Sequence, residues 1–162
     1  ASSVVAYYRN RYPRKMPTLV SVEPAVCDCM MESFRNGKLS KTKESQQTVL
    51  TGLRCGTPAL LAWDILKDGI DVFMSIPDSY GIKAMQDFYY PFKQDKQIFA
   101  GESGAAGLGG LIAMACDPSL QGLKKEVGLN EESRVLVFVT EGVTDSEVFE
   151  EFINKEPYLV KT

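Results

Sequence analysis

The stretch Ile70-Asp71-Val72-Phe73-Met74-Ser75-Ile76-Pro77-Asp78-Ser79 carries the reading of the fold. Apolar residues dominate from Ile70 to Ile76, and Pro77 ends the run. A short apolar run bounded by turn residues suits a strand covered on both faces, as in a parallel sheet. Asp78 or Ser79 then caps a helix that reaches about Asp87. The same succession recurs on either side. Upstream, Thr57 as N-cap and Pro58 at the first helical position open a helix through Lys67, which stops at Asp68-Gly69. Leu61, Ile65 and Trp63 are its expected packing residues. Further upstream, Thr18 to Val22 reads as a strand ending at Glu23-Pro24. A helix from Cys27 to Arg35 follows and is ended by Asn36-Gly37. Downstream, Gln97 to Ala100 is a weaker strand candidate, and Ser103 to Cys116 is a helix rich in small residues. Asn130 to Ser133 is a turn before the most apolar strand, Arg134 to Thr140, whose centre is Val135-Leu136-Val137-Phe138-Val139. Thr144-Asp145-Ser146-Glu147 forms a capping box that opens a last helix to about Ile153. The alternation predicts an α/β fold: a mostly parallel sheet with helices on both faces. Residues 38–47 are polar and read as an exposed loop.

Composition sets the outer bounds. The chain has 162 residues, 44% of them hydrophobic and 24% charged. Those values suit one folded α/β segment spanning residues 1–162. The net charge of −3 argues against a dominant nucleic-acid surface. No apolar run approaches the roughly 20 residues needed to span a bilayer, and the first residues lack a signal-peptide pattern, so the default location is cytoplasmic. The chain contains no histidine. A serine–histidine or cysteine–histidine nucleophile pair is therefore excluded within it, as is a histidine-ligated metal. Cys27-Asp28-Cys29 has no second ligand pair at zinc spacing, so no metal site is expected and the cysteines read as inert thiols. Ala1 rather than Met at the start is consistent with a processed chain, a trimmed one, or the later part of something longer.

In open α/β sheets, ligands sit beyond the carboxyl ends of the strands. That rule draws attention to Glu23-Pro24, to Gly101-Glu102-Ser103-Gly104 and to Thr140-Glu141-Gly142. The run Gly101-Glu102-Ser103-Gly104-Ala105-Ala106-Gly107-Leu108-Gly109-Gly110 can present free backbone N–H groups to an anion, but it is no P-loop. Its structural reading is that Gly104, Gly107 and Gly110 lie on one helix face and let another backbone come close. Thr140 reads either as a ligand contact or as part of a plain strand-to-helix turn. Gly52-Leu53-Arg54-Cys55-Gly56-Thr57-Pro58 reads either as a ligand-contacting loop or as one that needs unusual backbone angles.

Taken in order, these runs resemble one family. They are Val22-Glu23-Pro24, Asp28-Cys29 with Ser33, Gly52 to Pro58 with Trp63, Gly101 to Leu108, Leu129-Asn130-Glu131-Glu132-Ser133-Arg134-Val135-Leu136, and Thr140-Glu141-Gly142 with Thr144-Asp145. From about Tyr7 to Phe152 the chain resembles the carboxyl-terminal part of the diaminopropionate ammonia-lyase family. That family's relatives are threonine dehydratase, serine racemase and the tryptophan synthase β subunit, all fold-type II pyridoxal-phosphate enzymes. One departure is Val143, where many relatives carry aspartate.

The resemblance implies part of a fold-type II large domain and the cofactor pyridoxal 5'-phosphate. It also implies α,β-elimination of 2,3-diaminopropionate to pyruvate and ammonia. In the family the Schiff-base lysine, the acidic bases and the phosphate loop lie upstream of the matched region. No catalytic residue is therefore expected in this chain, which should be inactive without an upstream half. By the family pattern, Thr140 meets the pyridine nitrogen. A hydroxyl there leaves that nitrogen largely unprotonated, which weakens the electron sink and favours β-elimination. The same pattern puts Glu102, Ser103 and Gly142 beside the cofactor and closes the loop of Gly52, Arg54, Cys55 and Gly56 over the substrate. It further implies an amino-acid substrate and a homodimer, and it suggests a Cys29–Cys55 disulfide. Two other readings stay open: a threonine- or serine-dehydratase-like lyase or racemase, and a non-catalytic α/β binding or regulatory domain.

Overall fold

The computed structural model describes residues 1–42 and 47–155. The expected loop at 38–47 therefore lies partly outside the described residues. The elements run α1 (Ser2–Arg11), β1 (Val20–Pro24), α2 (Cys29–Asn36), α3 (Leu60–Lys67), β2 (Val72–Ile76), α4 (Asp78–Tyr89), α5 (Ala106–Cys116), α6 (Gln121–Glu126) and α7 (Ser146–Asn154), with short 3-10 turns at Thr51–Leu53 and Pro118–Leu120. The fold is α/β with a parallel sheet, in which β1 pairs with β2. Two compact units divide the chain: Ala1–Thr48 with Arg54–Ser75, and Val49–Leu53 with Ile76–Thr162.

In the first unit the ladder begins just before the strands, where the N–H groups of Asp71 and Val72 donate to the Leu19 carbonyl at 2.9 and 3.2 Å. The Asp71 carboxylate in turn accepts from the Leu19 N–H at 2.7 Å. Helix α1, which has no clear apolar periodicity, packs on α3 through the fully buried Val5. Arg9 of α1 donates to the Asp68 carbonyl at 2.7 Å, where the α3 carboxyl end attracts a cation. Helix α2 ends as expected at Gly37, whose φ of 64° lies in the left-handed region that suits glycine. Helix α3 departs from expectation. It begins at Leu60 with Ala59 as N-cap, so Thr57 does not cap it. The later start puts Trp63 and Leu66 inward and leaves Leu61 91% exposed.

The second unit is built on α4 and α5. A Cβ on Gly109 would stand 2.9 Å from the Tyr80 carbonyl oxygen, so this glycine lets α5 settle against the α4 backbone. Gly107 serves no such purpose, because a Cβ there would make ordinary contact with Val137. The core gathers Ile82, Met85, Ala100, Ala105, Phe149, Phe152 and Ile153, with Tyr89 edge-on to Phe149 at 5.5 Å. Helix α7 is capped by Asp145 and not by Thr144: its Oδ1 accepts from the N–H groups of Glu147 and Val148, both at 3.1 Å.

Two expected strands are absent. Gln97 to Ala100 contributes only one antiparallel bridge, Ala100 to Gly142. The run Arg134 to Thr140 pairs with no strand among the described residues, and Val135, Leu136, Phe138 and Val139 are all exposed. Its apolar composition is strand-like, but a strand exists only through ladder bonds to a neighbour.

Candidate functional site

The second unit brings together three segments that the sequence keeps far apart. The first is the turn 101–105 that enters α5. Its Ala105 N–H donates to the Gly101 carbonyl at 3.0 Å, which closes one helical turn before α5 itself begins. Gly101 N–H donates to the Glu141 carbonyl at 3.0 Å. Ser103 N–H donates to Glu141 Oε2 at 2.9 Å. Gly52 N–H, from the third segment, donates to Ser103 Oγ at 2.8 Å. The turn is thus held from two sides, by Glu141 at its backbone and by Gly52 at the Ser103 hydroxyl.

Two glycines make that approach possible. A Cβ on Gly104 would collide with the Glu141 carbonyl oxygen, and one on Gly101 would collide with the Gly142 carbonyl oxygen. The close-packing role expected for the glycine-rich run is filled by Gly101, Gly104 and Gly109, and of the expected three Gly104 holds it while Gly107 does not. Glu102 and Ser103 are both buried. Gly142 bridges to Ala100, and Thr140 is exposed immediately before this junction.

The expected substrate-side loop divides between the units. Gly52 belongs to the second unit, while Arg54, Cys55 and Gly56 belong to the first. Arg54 turns back on its own loop, donating from Nε and Nη2 to the Thr48 carbonyl at 3.0 and 2.7 Å. The Gly56 carbonyl accepts from Thr42 N–H at 3.1 Å. Cys55 is exposed and its thiol donates to the Thr57 carbonyl at 3.0 Å. Cys29 and Cys55 are both free thiols, close enough for a hydrogen bond between them, so the disulfide suggested by the resemblance is not formed here. Burial, reinforced by the Glu23 carboxylate, pushes the Cys29 thiol up to about 12.

Two acidic residues play parts that the sequence did not reveal. Glu23, at the end of β1, caps α2: Oε1 accepts from Met30 N–H and Oε2 from Met31 N–H, both at 2.9 Å. Burial nonetheless raises its carboxyl above the ordinary value of 4.5. Glu141 is the residue that joins the turn to the segment end. Its position beyond a strand-like run marked it as interesting, but its partners are backbone groups distant in sequence, which no local pattern announces. Among the described residues, no group of three or more histidine, cysteine or acidic side chains could hold a metal ion.

A model of the family described as "Pyridoxal-phosphate dependent enzyme" matches residues 1–141. Diaminopropionate ammonia-lyase of Escherichia coli K12 is 35% identical over 154 residues, covering 94% of this chain and 38% of that protein. The crystal structure of the E. coli enzyme in complex with D-serine superposes with a TM-score of 0.82 at 34% identity, covering 94% of this chain and 37% of that one. Maize serine racemase superposes with a TM-score of 0.72 at 23% identity, covering 93% and 42% of the two chains, a likeness of fold. The chain spans less than two fifths of the length of the curated relatives it matches.

Proposed function

Because the chain belongs to the pyridoxal-phosphate dependent enzyme family, we propose that it is the carboxyl-terminal portion of a diaminopropionate ammonia-lyase. Its fold is that of the fold-type II members. In this reading all 162 residues act as one α/β segment of a longer enzyme that eliminates ammonia from 2,3-diaminopropionate to give pyruvate. The observation that carries the reading is the junction of the Gly101–Gly104 turn with Thr140-Glu141-Gly142. Both family motifs occur there in direct backbone contact, in a chain that matches the lyase over nearly all its length.

The residues at that junction fit one side of the cofactor. Thr140, an exposed residue at the end of its segment, offers a neutral hydroxyl, suited to a pyridine nitrogen that stays unprotonated. Glu102, Ser103 and Gly142 form the adjoining wall. When bound, the cofactor supplies an electron sink for the carbon that loses its proton. This chain's part is to hold and orient the ring. Proton transfer falls to residues outside it. Gly52, Arg54, Cys55 and Gly56 are assigned to the substrate side. The exposed side chains of Val135, Leu136, Phe138 and Val139 support this reading, since a patch of neighbouring apolar side chains marks a surface that another element covers. A homodimer and a place in amino-acid metabolism rest on the resemblance, and a cytoplasmic location is the default reading of the sequence. No helix among the described residues is long and apolar enough to cross a membrane.

The test compares residues 1–162 with the same chain extended upstream to the relatives' length. Each is mixed with pyridoxal phosphate and assayed for pyruvate release from diaminopropionate, threonine and serine. The extended protein is expected to bind cofactor and prefer diaminopropionate, and the 162 residues to do neither. Turnover by residues 1–162 alone would overturn the assignment of catalysis to an upstream half. An extended protein that prefers threonine or serine would overturn the substrate.

A further inference from the structure

We propose that Glu141 is the positioning residue of this site: it clamps the Gly101–Gly104 turn to the end of the segment that carries Thr140. The inference rests on the functional reading above for its purpose, but on geometry alone for the clamp. Glu141 makes two hydrogen bonds to the turn, and its side chain lies beside Gly52. Its carbonyl oxygen accepts from Gly101 N–H at 3.0 Å. Its Oε2 accepts from Ser103 N–H at 2.9 Å. Its Oε1 lies 3.7 Å from the place a Cβ on Gly52 would occupy, beside the Gly52 N–H that donates to Ser103 Oγ.

The glycines are cut to this residue. The Glu141 Cγ stands 3.1 Å from the Cβ position of Gly101, and its backbone N and C stand 3.1 Å from that of Gly104. A side chain at either glycine would push Glu141 out of the junction. Glu102, Ser103 and Thr140 are adjacent in sequence to the clamped atoms, so their placement relative to one another depends on the clamp. The carboxylate is needed here as a hydrogen-bond acceptor on a long enough arm. Glutamine offers the same reach with a neutral acceptor. Aspartate keeps the charge and is one methylene too short.

This contrast defines the experiment. In the 162-residue chain, amide hydrogen exchange at Ser103 is followed by NMR for wild type, Glu141→Gln, Glu141→Asp and Glu141→Ala. Losing the acceptor for Ser103 N–H is expected to speed Ser103 exchange by about tenfold or more in the Asp and Ala variants, and Glu141→Gln to stay within about threefold of wild type. In the cofactor-loaded extended enzyme, the Asp and Ala variants are expected to alter the cofactor's visible absorbance. They should also lower kcat by about tenfold with KM within about twofold, while Glu141→Gln retains both properties. Unchanged Ser103 exchange in Glu141→Ala would overturn the clamp. So would an aspartate variant that behaves as wild type beside a damaged glutamine variant, since charge would then be what matters. An extended wild-type enzyme that takes up no cofactor would overturn the functional reading, and with it the clamp's purpose, whatever the exchange experiment shows.

Discussion

Two runs of this chain carry nearly the same sequence signal and meet opposite ends. Ile70 to Ile76 becomes β2, paired with β1, with Met74 and Ile76 buried. Arg134 to Thr140 is the more apolar of the two, yet it joins no ladder among the described residues and leaves Leu136 65% exposed. The difference lies in what stands beside each run. β2 has a neighbour whose carbonyls accept its N–H groups. The other run is hydrogen-bonded into the fold at its end, where Glu141 and Gly142 meet the turn at 101. Hydrophobicity makes a segment fit for a sheet, and a partner makes it a strand.

The comparison can be broken by truncating both runs. Ile76→Ala should destabilise the chain by about 2–5 kcal/mol in urea unfolding, because its side chain is fully buried. Leu136→Ala should cost less than about 0.5 kcal/mol in the same chain. In the extended enzyme the Leu136 cost should rise towards that of a core leucine if other polypeptide covers the run. Equal costs in the 162 residues would mean that the run is already buried.

The fixed end of the second run offers a sharper contrast within one motif. Gly104→Ala forces a Cβ into the Glu141 carbonyl and should lower stability by about 1–3 kcal/mol, read from the melting temperature. Gly107→Ala, three residues on, meets only ordinary contact from Val137 and sits in α5, so it should be neutral or stabilising by up to about 1 kcal/mol. A reversal of that order would remove the glycine argument for the junction.

The smallest effect is expected at the end of β1. Burial raises the Glu23 carboxyl above 4.5, so the folded state holds this proton more tightly than the unfolded one. The stability associated with that proton is complete below the unfolded value and is lost as pH rises through the folded one. Glu23→Gln removes the titration and keeps an acceptor for α2. Its stability relative to wild type should therefore improve as pH rises from 4.5 towards neutrality. Parallel stability–pH curves for the two proteins would show that Glu23 is not held above its ordinary value.

Where a signal is local, it was legible. β1, β2, α2, α4, α5 and α7 fall where apolar runs, Gly37 and the acidic first turn of α7 place them. α3 starts two residues later than its local signal, because Thr57-Pro58 is a good helix start that the chain does not use. α1 and α6 carry no such signal: α1 has no apolar stripe, and α6 is a short, lysine-rich piece tied to α5 by Lys124 donating to the Ala115 carbonyl. At the site, Ser103, Gly142 and Gly52 meet in one junction of the second unit, while Arg54, Cys55 and Gly56 belong to the first.

The sequence by itself determined the α/β class, the order of most elements, the family and the two motifs that meet. It could do so because capping, periodicity and motif order are properties of neighbouring residues. Tertiary structure alone decided which apolar run acquires a ladder and which glycines are spaces for another backbone. It also decided that Glu141 joins the motifs, through a bond that spans 38 residues of sequence. Those outcomes depend on which donor finds which acceptor across the fold, and a distant backbone N–H leaves no mark on the residue that binds it.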